Sequence, residues 1–176
     1  IYYSAKDEES IRNIYCTHLT DSLWSAPALI NEQMTSSSDE IYPMLSPDGQ
    51  SLYFASKGLY GMGGYDLYVS NWNSETNDWD MPVNMGFPYS SPYDDFLFVN
   101  TEDGKYSIFA SNRECGRDSV TIYVLEYDSM PVRKAVTDVG ELRTLAALKP
   151  ANDPSRLDNA AALPEDGPHD EGTKPD

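Results

Sequence analysis

The chain has 176 residues, enough for one ordinary domain and a tail, and its 12 basic against 29 acidic residues leave a formal charge of −17. Such a charge repels phosphate backbones and anionic membrane surfaces, which sets nucleic acid and lipid headgroups aside and suits a soluble surface, a cationic partner or a divalent cation. No stretch approaches the roughly 18 consecutive apolar residues of a membrane span, and the 13 Tyr, 5 Phe and 3 Trp favour half-buried strands.

Ile1-Tyr2-Tyr3 already reads as a strand. With no initiator Met and no signal peptide ahead of it, native sequence, including any export signal, is expected upstream. A second strand passes through Asn13-Ile14-Tyr15-Cys16. Cys16 is read as a packing residue and Cys115 as part of the polar loop Arg113-Glu114-Cys115-Gly116. The two fit no metal or redox spacing and are not expected to be bridged.

Four strand signals follow in close order. Ile41 to Ser46 leads into Ser46-Pro47-Asp48-Gly49, a turn whose Pro pre-sets φ and whose Gly takes the left-handed position. Ser51 to Ser56 is the second strand. The glycine-rich stretch Gly58 to Gly64 leads to the third, Tyr65 to Asn71, and a polar turn leads to the fourth, Trp79 to Asn84.

That pattern then repeats at a period of 55 residues without a gap: Asp39 recurs as Asp94, Asp48-Gly49 as Asp103-Gly104, Phe54-Ala55-Ser56 as Phe109-Ala110-Ser111, and Tyr68-Val69 as Tyr123-Val124. A partial earlier copy matches at shifts of 51 (Ile1-Tyr2-Tyr3 with Leu52-Tyr53-Phe54), 53 (Ile14-Tyr15 with Leu67-Tyr68) and 55 (Trp24 with Trp79). A four-stranded meander repeated in tandem is the blade of a propeller. The expected fold is therefore all-β: an incomplete β-propeller of four-stranded antiparallel blades, with a C-terminal helix and a disordered tail. The boundaries are a partial blade over 1–35, blades over 36–90 and 91–131, a helical connector over 132–150 and an acidic linker over 151–176. Leu52, Phe54, Leu67, Val69, Ile108, Phe109, Ile122 and Val124 are expected between blades.

Ser46-Pro47-Asp48-Gly49, then Leu52-Tyr53-Phe54-Ala55-Ser56, then Gly61-Met62-Gly63-Gly64-Tyr65-Asp66-Leu67-Tyr68 together resemble the TolB-like (WD-type) propeller repeat over roughly residues 1–130. The resemblance implies a periplasmic or outer-membrane-associated protein of a Gram-negative envelope, of the kind that accompanies OmpA-like domains. The third copy departs from the pattern, with Thr101-Glu102-Asp103-Gly104 for the turn and Arg117-Asp118-Ser119-Val120-Thr121 for the glycine-rich approach. Closed propellers need typically about 4 to 8 blades, so missing upstream blades, or completion by another chain, are expected.

Val139, Leu142, Leu145, Ala146 and Leu148 share one face of a helix over Val139–Lys149, with Asp138 as N-cap and Pro150 as its end. Residues 151–176 carry seven acidic and two basic residues, four prolines and no aromatic residue, a composition that cannot bury enough apolar surface to order itself.

Catalytic chemistry finds little support. The histidines are His18 and His169, neither beside a nucleophile elbow. Asp39-Glu40 and Asp94-Asp95 recur because the blade recurs, so they read as caps of the inter-blade turn, with Ca²⁺ binding as the alternative. An Asp box of the sialidase kind is not matched, and Gly61-Met62-Gly63-Gly64 precedes a strand rather than a helix, unlike a phosphate loop. No cofactor and no metal are expected. The candidate binding surface is the glycine-rich loop, where Tyr60, Met62 and Tyr65 stand beside Asp66 and glycine lets a ligand approach the backbone. Its alternative is structural: Tyr65 packs on the neighbouring blade while Asp66 ties the loop down. The expected function is a non-catalytic envelope scaffold that binds protein or a peptidoglycan-type polymer. The non-catalytic propeller of a larger peptidase or of a glycan-processing enzyme is the alternative.

Overall fold

Strands whose large apolar side chains alternate with small or polar ones bury both faces only by stacking sheet upon sheet. The computed structural model describes residues 1–116, 118–126 and 136–148 and has this organisation, all-β apart from one α-helix and a single 3₁₀ turn. In the first sheet β1 (Tyr2–Lys6) pairs with β2 (Arg12–Cys16); β3 (Leu19–Thr20) and β4 (Leu23–Trp24) form a side hairpin, and β5 (Ala28–Leu29) returns along β2. The second sheet is β6 (Glu40–Leu45), β7 (Ser51–Ser56) and β8 (Asp66–Asn73), edged by β9 (Asp78–Trp79) and β10 (Val83–Asn84). In the third, β11 (Asp95–Asn100), β12 (Tyr106–Ser111) and β13 (Thr121–Glu126) follow in order, and every pairing in the three sheets is antiparallel.

The repeat is reproduced down to single hydrogen bonds. In the β6–β7 turn Asp48 Oδ1 accepts from Ser46 Oγ and Gln50 N, with Gly49 at φ +70°. In the β11–β12 turn Asp103 Oδ1 accepts from Thr101 Oγ1 and Lys105 N, with Gly104 at φ +68°. Thr therefore replaces Ser, and Glu replaces Pro, without changing the turn. Tyr42 (φ +54°) and Leu97 (φ +60°) lie at equivalent bulges of β6 and β11, a left-handed conformation that non-glycine residues rarely adopt. A stacked ring pair also recurs in each sheet: Tyr3 with Tyr15 at 6.1 Å, Phe54 with Tyr68 at 5.9 Å, and Phe109 with Tyr123 at 5.5 Å.

Alternation along β7 divides the core in two. Leu52 and Phe54 face the first sheet and join Ile14, Met34, Tyr68 and Trp79. Tyr53 and Ala55 face the third and join Leu67, Tyr89, Phe98 and Phe109. Of the eight expected inter-sheet residues, Leu52, Phe54, Leu67 and Phe109 are fully buried, and Val69 and Ile108 half-buried. Ile122 and Val124 are corrected: they are 56% and 61% exposed, because they lie on the far face of the third sheet, where no further sheet among the described residues covers them.

The fourth strand is also corrected. Instead of one strand over Trp79–Asn84 there are two short ones, β9 against Trp72–Asn73 and β10 against Tyr68–Val69, separated by a stretch that contains Pro82, which has no N–H to give. Helix α1 (Val139–Ala146) starts where expected, with Asp138 Oδ1 accepting from Glu141 N. The helix ends earlier than expected, at Ala146 rather than Lys149: Ala147 turns extended and its N–H donates to the Arg143 carbonyl. Residues 127–135 and the acidic linker lie outside the described residues.

Helix and third sheet are joined by Arg113, which is 2% exposed. Its guanidinium donates to Asp95 Oδ1 and to the carbonyls of Pro88, Tyr89 and Ala146, and lies over the rings of Phe109 and Tyr123. The Ala146 carbonyl is at the C-terminal end of α1, where the helix dipole favours a cation.

A covered face of the second sheet and the uncovered face of the third give a direct test of the stacking. Phe54→Ala should cost about 3–5 kcal/mol in urea unfolding, whereas Val124→Ala should cost less than about 1 kcal/mol. Equal losses would contradict the assignment of covered and uncovered faces.

Candidate functional site

The loop that joins β7 to β8 passes Gly58, Tyr60, Met62, Gly64 and Tyr65 before Asp66 opens β8. Asp66 begins a buried strand face, and its carboxylate turns back beneath the loop: Oδ2 accepts from Met62 N at 2.9 Å and from Gly63 N at 3.0 Å. The residue is 1% exposed, and Oδ1 has no direct hydrogen-bond partner. Burial pushes its pKa up to about 6; the two loop N–H groups oppose that, and the charge of Asp95 adds to it.

Tyr65 is tied at both ends of the residue. Its N–H donates to Asp94 Oδ1 at 3.0 Å and its hydroxyl to Asp39 Oδ2 at 3.0 Å, with Lys57 Nζ 5.3 Å above the ring. Burial and the Asp39 carboxylate push the phenol up to about 12. Tyr60, by contrast, is 102% exposed, and Met62 is 38% exposed. Of the four candidates, then, Tyr60 and Met62 face solvent, Tyr65 is half in the joint between sheets, and Asp66 is internal.

The glycines are explained by the chain itself. A Cβ on Gly63 would stand 2.0 Å from the carbonyl oxygen of Tyr93 and 2.4 Å from that of Ser91, and one on Gly64 would stand 2.1 Å from Asp94 Oδ1. At Gly63 and Gly64 the space that a side chain would take is filled by the loop preceding β11, which gives these two glycines a structural reason.

The paired carboxylates occupy equivalent joints. Asp39 Oδ1 accepts from Arg12 N of the first sheet at 2.8 Å, as Asp94 Oδ1 accepts from Tyr65 N of the second. Arg12 NH1 adds a 3.3 Å ion pair to Asp39. The Arg12 N–H, opposed by desolvation and helped by Tyr65, holds Asp39 below the usual carboxylate range. Glu40 and Asp95, both 0% exposed, close the turns before their strands: Glu40 accepts from Ser36 Oγ and Ser56 Oγ, Asp95 from Ser91 N and Ser91 Oγ. They differ in counter-charge. Asp95 faces Arg113, while the equivalent of Arg113 beside Glu40 is Gly58, where a Cβ would meet Ser36 Oγ at 2.0 Å. Burial accordingly raises the pKa of Glu40, against its serine donors.

Among the described residues no three His, Cys, Asp or Glu side chains cluster as metal ligands, and both cysteines are free. His18 Nε2 lies 3.9 Å from Cys16 Sγ on an exposed edge. Among the described residues no helix is long and apolar enough to cross a membrane. The chain matches no family model and no curated protein.

Sequence reasoning missed Arg113, read as a loop residue. The available signal was its place after Ser111-Asn112, where the second sheet has Ser56-Lys57-Gly58.

The raised Asp66 pKa has a definite sign. The folded value of about 6 exceeds the ordinary carboxylate value of 3.8, so folding favours the proton; the stability it contributes is present at low pH and is lost as pH rises from about 4 to 6. Asp66→Asn should keep an acceptor for the loop N–H groups and flatten that decline, so thermal midpoints of wild type and variant should diverge between pH 4 and 7, the variant holding the higher one. Parallel curves would contradict a buried, unpaired carboxylate.

Proposed function

We propose that the chain is a non-catalytic β-propeller module of a bacterial cell envelope, periplasmic or outer-membrane-associated, that binds a protein or a peptidoglycan-type polymer. In this reading the three sheets are consecutive blades and the glycine-rich loop is one rim of the binding face.

The observation that carries it is the contrast within that loop. Its backbone is held by Asp66 from below and pressed against the loop before β11, while Tyr60 stands free of the chain and Met62 beside it is partly free. An aromatic and a thioether on a backbone that is already ordered lose little conformational entropy on contact, which is how recognition surfaces concentrate affinity. The paired carboxylates support the non-catalytic part of the reading, since Asp39, Glu40, Asp94 and Asp95 are all engaged in hydrogen bonds within or between sheets. The repeat's resemblance to TolB-like propellers supports the envelope setting.

The test uses substitutions that leave the joint between sheets alone. Tyr60→Ala with Met62→Ala should lower recovery of partners from envelope extract, and of purified peptidoglycan in a sedimentation assay, by at least about tenfold, with an unchanged far-ultraviolet spectrum. Equal recovery by wild type and double variant would remove the loop from the binding face, and turnover of a peptide or glycan by the purified chain would overturn the non-catalytic reading.

A further inference from the structure

Helix α1 is held to the sheets at its C-terminal end. There Ala146 is buried, its carbonyl accepts from Arg113, and Leu148 just beyond packs against the core between the second and third sheets. Val139, Leu142, Arg143 and Ala146 are spaced so that they share one stripe of the helix. Toward the N-terminal end that stripe is uncovered, and Val139 is 61% exposed. Between it and the loop before β11 lies a cleft of about 380 Å³, with Pro92 and the half-exposed Tyr93 as its other wall. Small-molecule sites occupy about 300–1,000 Å³.

The floor and the rim of the cleft differ in what they can bind. Arg113, buried, lines the floor. All five of its N–H groups already have acceptors, in Ser111 Oγ, Asp95 Oδ1 and the carbonyls of Pro88, Tyr89 and Ala146, and Asp95 balances its charge. The floor therefore offers neither a free donor nor a net charge and suits an apolar group. The rim carries two charges of opposite sign, Arg143 and Glu114, both exposed. Neither side chain has a hydrogen bond or ion pair among the described residues. A lone anion would meet Glu114 as well as Arg143, and the field of a chain of charge −17, whereas a molecule carrying both charges is neutral toward that field.

We propose that this cleft binds a small apolar zwitterion, an α-amino acid or a short peptide with both termini free. Its apolar side chain lies between Tyr93 and Leu142 over the floor, its carboxylate meets the Arg143 guanidinium, and its ammonium meets the Glu114 carboxylate. The inference uses neither Tyr60 nor Met62, so its failure leaves the proposed function standing, and the failure of that reading leaves this site untouched.

The probe is leucine, added to the full chain, and saturable nuclear magnetic resonance shifts are expected at the methyl groups of Val139 and Leu142. Leucinamide, which lacks the carboxylate, and N-acetylleucine, which lacks the ammonium, should each bind about two- to fivefold more weakly. Arg143→Gln should abolish the difference between leucine and leucinamide, and Glu114→Gln that between leucine and N-acetylleucine. Both positions are exposed, so thermal midpoints should stay at the wild-type value. Leucyl-leucine binding tighter than leucine would mark short peptides as the natural ligand, and weaker binding would mark single amino acids. Absence of saturable shifts, equal binding by leucine and its two blocked forms, or differences that persist in the glutamine variants would each overturn the proposal.

Discussion

One hydrogen bond, made twice, sets how the sheets stand against each other: a carboxylate at the mouth of an inner strand accepts the backbone N–H that opens a strand of the preceding sheet. Asp39 does this for Arg12 and Asp94 for Tyr65. Left without an acceptor in the partly buried joint, the Tyr65 N–H would cost up to about 1–3 kcal/mol. The adjacent acid, Glu40 or Asp95, is turned inward to close its own turn. Each acidic pair thus joins one sheet to the last with its first member and anchors its own strand with its second.

The glycine-rich loop follows from that joint. Asp94 must reach Tyr65 N, which brings the loop before β11 against residues 63 and 64 closely enough that only glycine fits. Asp66, the first residue of β8, is carried under the loop and fixes it from inside at the cost of burying a carboxylate without a counter-charge. The third sheet has a different solution: Arg113 neutralises Asp95, gathers the carbonyls around the turn and docks the end of α1. A Cβ on Gly116, the counterpart of Gly61, would meet nothing within 4 Å among the described residues, so glycine stands there without the packing that demands it in the second sheet.

Much of this was legible because the repeat is written in strands. Phe54 and Phe109 are equivalent, alternate correctly and are buried; Asp48-Gly49 and Asp103-Gly104 specify the same turn; Asp138 caps the helix. What sequence did not reveal depends on neighbours rather than on local pattern. Ile122 and Val124 carry the same alternation as Leu67 and Val69, and only the absence of a covering sheet among the described residues exposes them. The left-handed conformations of Tyr42 and Leu97 have no glycine or asparagine to announce them. Arg113 looks like a surface charge because burial of a charge is decided by partners far along the chain, 18 residues away in the case of Asp95.

The carboxylate joint is tested most directly by hydrogen exchange at a single amide. If Asp94 ties the second sheet to the third, the Tyr65 amide should exchange about as slowly as the amides within β8. In Asp94→Ala it should exchange at least about a hundredfold faster, while amides in the first sheet keep their wild-type rates. A Tyr65 amide that exchanges equally fast in both proteins would contradict the account.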